Sequence, residues 1–231
     1  MQKKQIYETE KDCPICLGKF NATRTRVGLR LTGMDPDFRM RYEGIEPMFY
    51  LIWVCPHCGY AAQEDSFSSL SDKARTVVLK ALEGKTVGLN LLGERTLEQA
   101  LTSYKLALYF AELRSLPASK IGGLYLKMAW LYRDKQEAEL EQVCLTKATE
   151  YYIQAYSNEA FPIGKMTENT IIYLVANLLD CIGESKQAGT WLSKIIGGKK
   201  KSGEVRLYTM AQDLWHRIKS KRDAVGLTNQ E

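Results

Sequence analysis

Two short cysteine motifs constrain this chain more than any other feature: Cys13-Pro14-Ile15-Cys16 and Cys55-Pro56-His57-Cys58-Gly59, with 38 residues between their inner cysteines. A Cys-x-x-Cys at a tight turn presents two sulfurs in one direction, and two such turns supply the four soft ligands of a tetrahedral structural zinc ion. The spacing therefore predicts that Cys13, Cys16, Cys55 and Cys58 hold one structural Zn²⁺. Gly18 and Gly59 are the residues expected to take the left-handed turn after each second cysteine. The remaining cysteines, Cys144 and Cys181, stand alone in helical patterns, which indicates a reducing compartment rather than a disulfide framework.

The flanking sequence predicts a zinc-ribbon-like module over 1–66. Residues 1–12 show no periodicity and read as an arm. Phe20–Thr32 reads as extended chain with Gly28 at a bulge or turn. Gly33-Met34-Asp35-Pro36-Asp37 is turn chemistry, and Met48–Val54 is a β-prone run delivering the second knuckle. A sheet this small is not expected to be stable without its metal.

From about Ser68 the apolar spacing changes to that of helices. Ala74, Val77, Val78, Ala81 and Leu82 define the first apolar face, closed by Gly84. Thr96 and Gln99 form a capping box for a helix ending before Pro117. Further amphipathic segments begin near Ile121, Glu137, Ile171, Ala188 and Leu207. Seven helices with short connections predict an antiparallel all-α domain over 67–222, followed by a disordered tail at 223–231. Three helices share one small/large pattern: Ala100, Tyr104, Ala107; Ala148, Tyr152, Ala155; Ala188, Leu192, Ile195. Small residues at those positions let paired helices approach closely, as in tetratricopeptide hairpins, although the spacings of 48 and 40 residues exceed the regular repeat of about 34. The fold class is therefore mainly α, with a small β module in front of a tetratricopeptide-like array.

Composition adds little beyond this. Hydrophobic content of 45% and charged content of 26% are those of an ordinary globular chain. Four thiolates and one divalent ion lower the formal +5 by two, to +3, a mild bias that permits nucleic acid without requiring it. No apolar run approaches a membrane span, and Met1-Gln2-Lys3-Lys4-Gln5 does not open a leader, so no membrane association and a cytoplasmic location are expected.

Catalysis finds little support. Gly84-Lys85-Thr86 has the end of a phosphate loop, but Leu79 stands where its first glycine belongs. His57 and His216 are the two histidines; the first reads as a turn residue and the second as a helix-surface residue, too few for a hydrolytic zinc site with an open position. A thiol redox site is the weaker alternative for the cysteine pairs, since that chemistry uses one dithiol on a βαβ scaffold. Arg24, Arg26, Arg30, Arg39 and Arg41, with Phe38, Tyr42 and Tyr50 nearby, form the candidate nucleic-acid surface. Asp35, Asp37, Glu43 and Glu46 oppose that charge. Lys199-Lys200-Lys201 reads as an exposed loop. Tyr104, Tyr151, Tyr152, Tyr156 and Trp191 are candidates to line a peptide groove, with core packing as the simpler role.

Four stretches together resemble one known family: Asp12-Cys13-Pro14-Ile15-Cys16, the block Tyr50–Ala61, Ala100-Leu101-x-x-Tyr104-Lys105-Leu106-Ala107-Leu108, and Ala129-Trp130-Leu131-Tyr132-Arg133. On these the chain resembles bacterial domain-of-unknown-function family 2225 over roughly residues 10–215. The resemblance implies a cytoplasmic protein with a zinc-ribbon-like front and a tetratricopeptide-like rear, and implies no activity. The expected role is a non-enzymatic, zinc-stabilised adaptor for a protein or peptide. The alternative is a ribbon that binds nucleic acid.

Overall fold

The structure, a computed structural model, describes residues 5–85, 88–198 and 203–228. The run Lys199-Lys200-Lys201, Thr86 and residues 1–4 lie outside them. The chain is mainly α, with a small β module at its N-terminal end. The front holds three separate antiparallel pairs rather than one ribbon sheet: β1 (Ile6–Asp12) with β2 (Lys19–Thr25), β3 (Leu31–Met34) with β4 (Met40–Tyr42), and β5 (Ile52–Val54) with β6 (Ala61–Gln63). Seven helices follow: α1 (Asp72–Leu82), α2 (Leu97–Leu113), α3 (Ala118–Asp134), α4 (Ala138–Asn158), α5 (Glu168–Cys181), α6 (Ser185–Ile196) and α7 (Val205–Thr228).

Three local expectations are corrected. Residues 6–12 are not an arm but β1, in register with β2 from Ile6 opposite Thr25 to Asp12 opposite Lys19. Backbone pairing, not a buried face, holds this strand: every residue of it is half-buried or exposed. The run Met48–Val54 is not one strand either, because Pro47 and the Glu46 carboxylate, which accepts from the Met48 amide, start a 3-10 turn at Pro47–Tyr50 and leave only Ile52–Val54 extended. Finally, α7 continues to Thr228, through most of the segment assigned to a disordered tail. No proline interrupts it, and Lys221 anchors that end by bonding both oxygens of Asp180 on α5 at 3.1 and 3.0 Å.

The helices start and stop for local reasons. Thr96 and Gln99 make the full capping box at α2, and Ser71 and Thr167 cap α1 and α5. Helices α2, α3 and α5 share one terminator, in which a residue of positive φ donates back to the carbonyl three before it and its successor donates to the carbonyl five before. These turns centre on Ser115, Gln136 and Gly183, and each redirects the chain into the next helix within a few residues. Glycine is absent from two of them. Gln136 is exposed with φ 61°, so Gln136→Gly is expected to stabilise the protein by about 0.5–1 kcal/mol, read as a raised urea midpoint.

Consecutive helices from α2 to α7 pack in chain order, and α5 also reaches α7. All nine residues of the small/large pattern are buried. Gly122 shows the closeness of α3 and α4: a methyl group there would stand 3.1 Å from the Tyr151 Cβ. Front and rear share one continuous apolar core, running from Cys13 and Ile15 to Ile218. The α2 helix is the joint. Phe110 meets the Tyr60 ring at 5.3 Å, and the Tyr104 hydroxyl donates to the Met48 carbonyl at 2.9 Å. Among the described residues no helix is long and apolar enough to cross a membrane.

Candidate metal centre

Each cysteine pair sits at the tip of a hairpin, with strands on both sides, and the two tips have the same backbone. In the first, the Cys13 amide donates to the Gly18 carbonyl at 3.0 Å and the Leu17 amide to the Cys13 carbonyl at 3.0 Å; in the second, Cys55 donates to Tyr60 at 2.9 Å and Gly59 to Cys55 at 2.8 Å. The left-handed residue after the second cysteine is Gly59 (φ 76°) in one tip and Leu17 (φ 61°) in the other. Gly18 therefore does not make the turn expected of it. It is needed for space, because a Cβ there would lie 2.9 Å from the His57 ring.

Face to face, the tips bring Cys13 Sγ within 3.6 Å of Cys58 Sγ, and Cys16 Sγ within 3.6 Å of Cys55 Sγ. All four sulfurs lie within 4.8 Å of one another. Four sulfurs at about 2.3 Å from a tetrahedral ion stand about 3.8 Å apart, so the site has the dimensions of a closed tetrathiolate. Sulfurs this close resist ionising together. Hydrogen bonds with Cys13 and Cys58 pull the Cys55 thiol well below its ordinary range, while those with Cys13 and Cys55 push Cys58 well above it. A cation at the centre removes that conflict, since a coordinated thiol is held as thiolate. The closest pairs join one tip to the other, and the four ligands could hold a metal ion with no position left for a substrate.

The surroundings hold the site rigid. Cys13 and Cys55 are fully buried. Arg75 of α1 donates from Nε to the Pro14 carbonyl at 3.0 Å. Beneath the sulfurs the Phe67 ring packs against Phe20, Trp53 and Tyr60. The Tyr60 hydroxyl donates to the Phe67 carbonyl at 3.3 Å and accepts from Arg114, the C-cap of α2, at 2.7 Å. Burial pushes that phenol up to about 12, so it stays protonated and the chain of bonds from tip to helix is kept. His57 is exposed yet tied down, with Nε2 2.9 Å from the Lys19 carbonyl of the other hairpin. This link between the tips was not legible from the motif. Removing it in His57→Ala is expected to speed metal release to a chelator roughly fivefold to tenfold, the equivalent of one net hydrogen bond.

The candidate nucleic-acid residues are dispersed. Arg24 pairs with Glu64 beside the Trp53 and Tyr7 rings, Arg26 lies over Tyr7, and Arg30 pairs with Glu43. Arg41 binds Asp35 at 2.6 Å. Arg39 is 2% exposed and belongs to the interior, where its guanidinium reaches Asp134 of α3, the Trp130 carbonyl at 3.0 Å and Glu46 at 3.3 Å. Tyr50 is buried, and Phe38 packs on Tyr173 of α5 at 5.3 Å. Of the groove candidates, Tyr104 and Tyr152 are core. Tyr151 stacks on Tyr125, and Tyr156 packs on Trp191 under the Lys194 ammonium. His216 is exposed on α7, as its sequence position suggested.

A docked loop is the feature that residue-type reasoning missed. The β3–β4 turn, read only as turn chemistry, drives Asp37 and Arg39 into the helices. Asp37, 3% exposed, accepts from Trp130 Nε1 at 2.9 Å and pairs with Arg133 at 2.9 Å.

A family model described as "Uncharacterized protein conserved in bacteria (DUF2225)" matches residues 6–218. An uncharacterized protein of Borreliella burgdorferi (strain ATCC 35210 / DSM 4680 / CIP 102532 / B31) is 26% identical over 162 residues, covering 60% of this chain and 57% of that relative, so the match spans little more than half of the relative's length. No solved structure matches.

Proposed function

The chain belongs to this family of uncharacterised bacterial proteins, and from its geometry we propose that it is a non-enzymatic adaptor, held together by one structural Zn²⁺, that binds a protein or peptide partner on a tetratricopeptide-like helical array in the cytoplasm. The observation that carries the reading is the closed set of four sulfurs contributed by two equivalent hairpin tips, which leaves the ion no open position. With chemistry absent from the metal, recognition falls to the helices. Two clefts, of about 400 and 490 Å³, flank Pro36 where the β3–β4 turn meets α5 and α7; Pro36 and Arg217 line both. An extended segment lying across Pro36 would enter both clefts, whose walls mix Arg133, Arg206 and Arg217 with Asp35, Asp37, Glu141 and Asp213.

A photoreactive side chain at Gln142 or Met210, one in each cleft, tests this in the native cell. The expected result is one shared cross-linked partner, lost in Arg217→Glu and not obtained from Leu79 on α1. Products that do not differ between these positions would count against the adaptor. The nucleic-acid alternative predicts retention on DNA or RNA that weakens steeply with salt. The redox alternative predicts thiols that alkylate without a chelator.

A further inference from the structure

A second cavity, of about 860 Å³, lies away from both the cysteines and the clefts beside Pro36, between β1, the segment after β4, and the chain entering α2. Arg95 lines it, 7% exposed, immediately before the α2 cap. A guanidinium has five N–H groups. Here Nε donates to the Leu91 carbonyl at 3.1 Å, and Nη1 donates to the carbonyls of Phe49 at 2.9 Å and Ile52 at 2.8 Å. Those three bonds fix the group in place and leave both hydrogens of Nη2 without a protein acceptor among the described residues. Among the described residues no carboxylate pairs with this charge, whose guanidinium carbon lies 5.7 Å from the Tyr50 ring centre.

A buried, unpaired cation is costly unless an anion reaches it. Burial drags the Arg95 guanidinium down to about 10, with only the Tyr50 and Tyr104 phenols acting to raise it, which agrees with the missing counter-charge. The acids around the cavity are mostly committed elsewhere: Glu43 to Arg30 at 3.0 Å, and Glu46 to Arg39 at 3.3 Å. The remaining wall combines Ile6, Ile45, Phe49 and Tyr50 with Gln5, Gly44 and the exposed Glu94 at the rim.

We propose that this cavity binds a carboxylate that carries an apolar body, with the carboxylate on Arg95 Nη2 and the body against Ile45 and Phe49. One uncompensated positive charge calls for a monoanion. A phosphate dianion would bring a second charge past Glu94 and the Arg30–Glu43 pair. The same chemistry is presented by a small organic acid and by the C-terminus of a polypeptide.

Nitrogen–proton correlation spectra of the zinc-loaded full chain test it, with N-acetylphenylalanine as probe and its amide as control. The expected result is a saturable shift of the Arg95 Nε–H and of the Gly44 and Ile45 amides with the acid and not with the amide. Arg95→Gln should abolish it. Because Arg95 also holds three carbonyls, Ile45→Glu provides the independent variant: it sets a negative charge in a half-buried wall position and should weaken binding about tenfold or more. A tripeptide ending in phenylalanine that binds more tightly than the free acid assigns the site to chain termini; the reverse order assigns it to small acids. No saturable shift, equal shifts with acid and amide, or binding indifferent to Ile45→Glu would overturn the proposal.

Discussion

Replacing Cys58 by serine is expected to abolish stoichiometric zinc binding and to strip hydrogen-exchange protection from residues 6–67 and from α2, while α3–α6 stay protected. The size of the effect follows from two magnitudes. A structural zinc site contributes about 10–16 kcal/mol in small zinc modules, whereas a whole domain is stable by about 5–15 kcal/mol. Two-stranded hairpins cannot replace that on their own. The loss should not stop at the front, because Phe110 and Tyr104 of α2 and Arg114 at its C-cap have their partners among Tyr60, Met48 and Ser69. It should stop beyond α2, because α3–α6 bury Ala129, Leu131, Ala148, Leu174, Leu178 and Leu192 among themselves. Zinc stoichiometry by mass spectrometry under native conditions and exchange of peptides from each region would check both halves. Helical circular dichroism that disappears in step with the metal would mean that the rear has no independent core.

The helices were legible because their signals are local. Thr96 and Gln99, the glycines after α1 and α5, and the alternation of small and large residues at Ala148, Tyr152 and Ala155 act within a few residues of themselves. The meeting of the four cysteines was legible for a related reason, since only their spacing was needed. What escaped depended on partners distant in sequence. β1 has no apolar alternation to announce it and is specified by pairing with β2. Leu17, the counterpart of Gly59 in the other tip, takes the left-handed turn that Gly18 was expected to make, and Gly18 instead leaves space for His57, 39 residues further on. Arg39 was read as surface charge, and nothing in the sequence singled out Arg95. Nothing nearby in the sequence says that one will meet Asp134 of α3 and the other the carbonyls of Phe49 and Ile52. A residue type carries its chemistry into the fold, but burial decides whether that chemistry faces solvent, a cavity or another side chain.

Arg39→Ala is expected to cost about 2–3 kcal/mol, within the range for charge-assisted hydrogen bonds, because the Asp134 and Glu46 carboxylates left behind stay partly solvated. Arg39 binds three residues at once: Asp134 through both oxygens, Trp130 through its carbonyl, and Glu46. Its loss removes these bonds and weakens the hold on a turn that already contains a strained residue, Phe38 at φ 66°. Arg39→Lys should recover less than half of the loss, because an ammonium cannot span a bidentate carboxylate and a carbonyl as a planar fork does. Urea titration followed by tryptophan fluorescence would measure it, since Trp130 donates to Asp37 in the same turn and should report undocking. A cost below about 1 kcal/mol would mean that the turn is held by Phe38 on Tyr173 rather than by charge. The distinction reaches function, because Pro36 lines both clefts proposed for the partner. A turn freed by Arg39→Ala moves that shared wall, so under the adaptor reading cross-linking from Gln142 and from Met210 should fall together, even though Arg39 lines neither cleft.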